Sequence, residues 1–235
     1  MRDVPKYNPE FHPILPAMFL DAMNISKSVF YAYANADILF DNSLVTTLSS
    51  LRTALGNHKN ILITGQRKNW NIPLGHKGVL HSLKQVTNIS NRIPWYFSTL
   101  AMDYFITMPG GFPWSEQCDM AIGLPRYDNA LLNYGLLNQQ IVIDATKGIV
   151  ALHQTGKDGN YASHQTENPD YNDICGKIDY MLGSMECITM KVTADYHLES
   201  RVRNCRDKIK DCDEGYRGCL KKLRMVYNIT KPADI

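Results

Sequence analysis

The stretch VFYAYANADILFDNSLVTTLSSLRTALGNHKNILIT, residues 29 to 64, decides the fold class. Val29 to Tyr33 is short, β-branched and aromatic, which predicts a strand. It runs into the polar triplet Asn35-Ala36-Asp37. Asp41-Asn42-Ser43 then supplies a helix start, LVTTLSSLRTAL repeats its apolar residues at helical spacing, and Gly56-Asn57 is a stop. Ile61-Leu62-Ile63-Thr64 is an apolar run of strand length that ends at Gly65-Gln66-Arg67. Strand, helix and strand in this order predict an α/β class with a largely parallel sheet.

The pattern continues on both sides. Residues 14 to 25 (ILPAMFLDAMNI) are spaced as a helix. Met102 to Thr107 predicts a buried strand ending at Pro109-Gly110-Gly111, and a helical turn or two is expected around His81 to Val86. Tyr127 to Gln139 predicts a helix with Leu131, Leu132, Leu136 and Leu137 on one face and Asp128-Asn129 in its first turn. Gln140 to Asp144 and Ile149 to Leu152 predict two more strands, the second ending at His153-Gln154. In open α/β sheets polar sites collect beyond the carboxyl ends of the strands. Asn35, Asp37, Gln66, Arg67 and His153 all follow predicted strands.

The chain has 235 residues, 44% of them apolar and 20% charged, with a net charge of +2. Such a chain can bury a core, and its charge balance does not favour nucleic acid or an anionic membrane as partner. No run is long and apolar enough for a membrane span, and Asp3, Glu10 and Asp21 break the opening stretch where a signal peptide would be apolar. Sequons at Asn24, Asn88 and Asn228 are candidates for glycans in a secretory compartment, although such triplets also arise by chance. The compartment stays open: a Golgi or other secretory lumen if a longer parent carries an anchor, otherwise the cytoplasm.

The segment from 173 to 235 differs in character. Residues 199 to 235 carry ten Lys/Arg and six Asp/Glu, and Leu198, Val202, Cys205, Ile209, Cys212, Tyr216, Cys219, Leu223 and Val226 alternate steps of four and three. A helical, Cys-containing extension follows, docked on the body or free to take a partner helix. Cys205, Cys212 and Cys219 are too far apart to pair along one straight helix. Either they pack as small apolar residues, the expected case, or the chain turns at Gly215 to Gly218 and pairs some of them with each other or with Cys175 and Cys187.

Several chemistries are excluded by motif: there is no GxSxG elbow, Walker A loop, HExxH or GxGxxG. Of the remaining candidates, Asn35 and Asp37 at i and i+2 after a strand offer two oxygens to a hard divalent cation, although a polar triplet there is also an ordinary turn. Asp128 is either a helix-start acid favoured by the helix dipole or a general base. His153 is either a satisfied core histidine or a ligand, and Asp158 and His164 lack a zinc spacing.

Taken together, YANADILF at 33 to 40, ILITGQRKNW at 61 to 70, MDYFITMPGGFPW at 102 to 114, CDMAIGLPRYDNALLNYG at 118 to 135 and IVIDATKGIVALHQ at 141 to 154 resemble the GT-A type of nucleotide-sugar glycosyltransferase. The resemblance spans about residues 14 to 172. It implies that Asn35 and Asp37 stand at the D-x-D metal motif, with Asn35 in place of the first acid. It further implies that Asp128 is the catalytic acid residue, that His153 completes a site for Mn²⁺ or Mg²⁺, and that Gln66, Arg67, Gly110, Gly111, Tyr127 and Asn129 border sugar and acceptor.

Only 28 residues precede Val29, whereas a βαβ nucleotide-binding half needs about 30 or more. The expectation is therefore an incomplete GT-A domain over 1–172, with weak or no binding of nucleoside diphosphate sugars and self-association through the uncovered edge. Its reaction, if active, moves a sugar to a hydroxyl acceptor. The alternative is a non-enzymatic remnant that binds a glycan or a protein.

Overall fold

The computed structural model describes residues 6–72, 80, 82–138, 140–156, 167–175, 184, 185, 188 and 190–200. The described α-helices are α1 (Leu15–Ile25), α2 (Ser43–Leu55), α3 (Leu83–Arg92) and α4 (Tyr127–Leu137); apolar spacing predicts α1, α2 and α4, while α3 runs six residues past the turn or two expected around His81 to Val86. The strands are β1 (Tyr31–Ala34), β2 (Ile38–Phe40), β3 (Ile61–Thr64), β4 (Lys68–Asn71), β5 (Tyr104–Thr107), β6 (Ile141–Asp144), β7 (Ala151–Thr155), β8 (Met190–Val192) and β9 (Leu198–Ser200). The protein is thus a mixed α/β structure. Its main sheet has six strands in the order β1-β5-β3-β6-β8-β9, and a second sheet has the order β2-β7-β4.

Alternation along the central strands explains the layering, because successive side chains face opposite sides of a sheet. Leu62 of β3, Phe105 of β5 and Val142 of β6 join one core with Phe19 of α1 and Leu131 of α4. Their neighbours Ile61, Ile63, Tyr104, Ile106, Ile141 and Ile143 join the other core with Leu51 and Leu55 of α2 and Ile38 of β2. Both faces are covered, so β3, β5 and β6 read as unbroken apolar runs without alternation. Each fully buried Leu, Ile or Phe contributes about 1.5–3 kcal/mol relative to exposure.

Strand directions correct the sequence reading in one respect. β3, β6 and β8 are parallel, but β5 runs antiparallel to both β1 and β3, and β9 antiparallel to β8. The carboxyl end of β5 therefore lies at the opposite end of the sheet from those of β1, β3 and β6. Gly110 and Gly111 follow β5, so they turn the chain at that far end. A side chain on Gly111 would place its Cβ 1.8 Å from the Lys59 carbonyl oxygen. The turn returns Phe112 and Trp114 to the core, where Trp114 stacks on Phe19 of α1 at 3.9 Å.

Two further differences concern the second half of the chain. Leu198, placed by its spacing in a C-terminal helical stripe, lies instead in β9, and β8 pairs with β6, so residues 190–200 belong to the main sheet. The rest of the stripe, residues 201–235, lies outside the described residues, as do Asp158, His164 and Cys187. Cys118 and Cys175 form a disulfide across 57 residues, a pairing the sequence reading did not single out; Cys205, Cys212 and Cys219, expected to pack unpaired, lie outside the described residues. Among the described residues no helix is long and apolar enough to cross a membrane.

Candidate functional site

Three times the chain leaves the main sheet at the same end and enters the small one: from β1 to β2, from β3 to β4, and from β6 to β7. The sheets part there, and a cleft of about 1350 Å³ opens between them. Asn35, Asp37, Arg67, Asp103, Tyr127, Asp128, Asn129 and His153 line it. Five of these eight residues were singled out from their place in the sequence, and Tyr127 and Asn129 only through the resemblance, as bordering sugar and acceptor; Asp103 was not chosen at all.

Asn35 and Asp37 do not point the same way. The period-two rule holds within a strand, but residues 35–38 form a turn closed by the Ile38 N–H donating to the Asn35 carbonyl at 3.1 Å. Asn35 stays with the main sheet, its N–H donating to the Asp103 carbonyl, while the Asp37 carbonyl accepts from the Gln154 N–H of β7. The Asn35 side chain is fully engaged. Its Oδ1 accepts from the Tyr33 hydroxyl at 2.6 Å and the Tyr127 hydroxyl at 3.0 Å, and its Nδ2 donates to Asp103 at 2.8 Å. Burial pushes the Tyr33 phenol up to about 12 and holds that of Tyr127 well above its ordinary value, so both remain donors. With its oxygen committed to two hydroxyls, Asn35 fits a structural node and not a metal ligand.

Asp37 meets His153 instead. His153 is buried in the central strand of the small sheet, and its Nε2 lies 3.0 Å from Asp37 Oδ2, while its Nδ1 is 3.1 Å from the Thr155 hydroxyl. The hydrogen bond from His153 holds the Asp37 carboxyl below its ordinary value. Asp37 Oδ1 is buried without a hydrogen-bond partner. An acceptor left in that condition costs roughly 1–3 kcal/mol, a debt that a cation in the cleft would settle. One carboxylate and one imidazole at contact distance suit a divalent ion whose remaining positions go to water or phosphate oxygens. Among the described residues no group of three or more His, Cys, Asp or Glu side chains stands in metal-binding geometry.

Arg67 is buried and pairs with Asp103, whose other oxygen takes the Asn35 amide. Its guanidinium also lies 4.5 Å above the Phe97 ring. Burial lowers the Arg67 pKa and the nearby Asp37 charge opposes that shift. Gln66 does not line the cleft. Its backbone N–H donates to Thr146 and its amide to the Phe97 carbonyl at 2.6 Å, which fixes the loop that carries Phe97. Gly65 is required here by close approach, since a Cβ would stand 2.2 Å from the Tyr104 hydroxyl.

Asp128 opens onto the cleft from the first turn of α4. Its Oδ2 accepts from Met102 N–H at 3.1 Å and its Oδ1 from Asn129 N–H at 2.9 Å, while the Asn129 amide donates to the Leu100 carbonyl. Burial nevertheless dominates and raises its pKa to about 6. A carboxylate so poised is a better proton acceptor near neutral pH than an exposed one.

The wall beyond α4 was not legible from sequence. Arg126 takes the left-handed conformation, φ 77°, and reaches Asp170 at 3.0 Å as well as Asp173. Beside it the buried Asn172 side chain bonds the Ala121 N–H, the Ala121 carbonyl and the Pro125 carbonyl. Gly110 and Gly111, by contrast, lie outside the cleft. Comparison with family models, with curated proteins and with solved structures finds no match.

Proposed function

We propose that the cleft is the diphosphate and acceptor site of a GT-A type glycosyltransferase, one that transfers a sugar from a nucleoside diphosphate sugar to a hydroxyl. The observation that supports this reading is the meeting of Asp37, His153 and Asp128 from three distant segments in one cleft. Asp37 and His153 would hold a divalent cation, which when bound supplies positive charge for a leaving diphosphate. Asp128 takes the proton of the attacking hydroxyl through the lone pairs its two backbone donors leave free, as an inverting transfer requires. The Arg67–Asp103 pair and the Asn35–Tyr33–Tyr127 node keep the floor rigid beneath the reacting atoms, so that little reorganisation accompanies the reaction.

The test is calorimetric titration of the full chain with Mn²⁺, then with Mn²⁺ and UDP- or GDP-sugars, repeated on Asp37→Ala and His153→Ala. The expected result is a Mn²⁺ response and a weak, Mn²⁺-dependent donor response, both lost in either variant. No response to metal or donor, or responses unchanged in both variants, would overturn the reading.

A further inference from the structure

We infer that Asn24 carries an N-linked glycan and that the chain matures in an oxidising, secretory-type compartment. Two independent observations lead there, and neither depends on the glycosyltransferase reading. The first is the Cys118–Cys175 disulfide, whose two residues pack against the same core cluster as Phe19, Trp114 and Leu131. Disulfides that persist as part of a core belong to secreted, lumenal and extracellular proteins, because the cytosolic thiol pool keeps such pairs reduced. Its formation removes two electrons and two protons from the thiols and passes them to a disulfide-bearing oxidoreductase of that compartment.

The second is the placement of the Asn24-Ile25-Ser26 sequon. All three residues are exposed, at the end of α1 where the backbone turns extended at Ser26. Ile25 is 83% exposed, an apolar side chain that a neighbouring glycan would shelter from water. Pro13, just before α1, lines the cleft, so at 1.5 Å per helical residue Asn24 stands roughly 15 Å from it. A glycan there leaves the cleft open. Asn88, on α3, has its sequon hydroxyl residue Ser90 buried. In the modification, Asn24 Nδ2 bonds to C1 of the first sugar of a lipid diphosphate oligosaccharide. The C1–oxygen bond to phosphate breaks, and the lipid diphosphate leaves with the amide proton.

The test uses the full chain purified from the cells that naturally make it, with thiols alkylated before any reduction. Proteolysis and enzymatic deglycosylation in heavy-oxygen water then mark each former glycan site. The expected result is the heavy label at Asn24 and a linked Cys118–Cys175 peptide pair. An unlabelled Asn24, including the case in which Asn88 alone is labelled, overturns the site, and alkylated Cys118 and Cys175 overturn the compartment. Asn24→Gln and Ser26→Ala, expressed in the same cells, should each remove the same single mobility step on deglycosylation. Ser26→Ala keeps the backbone carbonyl that accepts the Tyr31 hydroxyl, so the fold is undisturbed there. Retention of the step in both variants overturns the proposal.

Discussion

Asp128→Asn separates the electrostatic cost of this carboxylate from everything else the protein does with pH. Burial moves the Asp128 pKa from an ordinary 3.8 to about 6, a shift of about two units. At 1.36 kcal/mol per unit, the ionised carboxyl disfavours the folded state by about 3 kcal/mol. The sign follows from proton counting. Between pH 3.8 and about 6 the folded chain holds a proton that the unfolded chain has released, so stability is highest below this window, falls as pH rises through it, and is flat above it. Asparagine removes the titration. It also leaves either the Met102 or the Asn129 N–H without an acceptor, at roughly 1–3 kcal/mol independent of pH. The variant should therefore be about 1–3 kcal/mol less stable than the parent near pH 4 and equal or up to about 2 kcal/mol more stable near pH 8. Urea unfolding followed by tryptophan fluorescence at both pH values gives the double difference, in which all other titrating groups cancel. A double difference below about 1 kcal/mol would refute the claim that Asp128 is held near neutrality by burial.

Three other outcomes follow from the same geometry. Reducing the Cys118–Cys175 bond, which closes a 57-residue separation, should lower stability by about 4 kcal/mol, read as the shift in urea midpoint with and without reductant; a shift under about 1 kcal/mol would count against a structural staple. Asn172→Ala strands the Ala121 N–H and carbonyl and the Pro125 carbonyl, and should cost roughly 2–4 kcal/mol in the same assay. Gly65→Ala should cost roughly 1–3 kcal/mol through the clash with the Tyr104 hydroxyl, and Tyr104→Phe added to it should restore part of the loss; no rescue would show that the contact with Thr146 N dominates.

What the sequence carried was whatever depends on neighbours along the chain. Apolar period marks α1, α2 and α4 to within a residue or two, and short apolar runs mark β3, β5 and β6. Strand direction is a different matter, because it is set by partners 40 to 80 residues away and leaves no local trace. Gly110 and Gly111, which the resemblance placed beside sugar and acceptor, lie away from the cleft for this reason and Asp103 lies in it: reversing β5 exchanges which of its ends faces the site. The small strands β2 and β4 escaped notice for a related reason. Ile-Leu-Phe and Lys-Asn-Trp-Asn are too brief or too polar to stand out, and they become strands only by pairing with β7.

The passage between sheets explains why adjacent residues divide their work. At the end of β1, Asn35 remains bonded to the main sheet through Asp103 while Asp37, two residues on, is bonded to β7 and reaches His153. At the end of β3, Gln66 ties down Thr146 and the Phe97 loop while Arg67, the next residue, pairs with Asp103 on the cleft floor. In each case one residue anchors the parting of the sheets and its neighbour faces the space that the parting creates. A motif expected to act as two equivalent ligands thus becomes one anchor and one carboxylate that faces the cleft. An aspartate at position 35 would place a second buried negative charge 2.8 Å from Asp103, whereas the asparagine amide gives Asp103 a donor and leaves Arg67 to balance a single carboxylate.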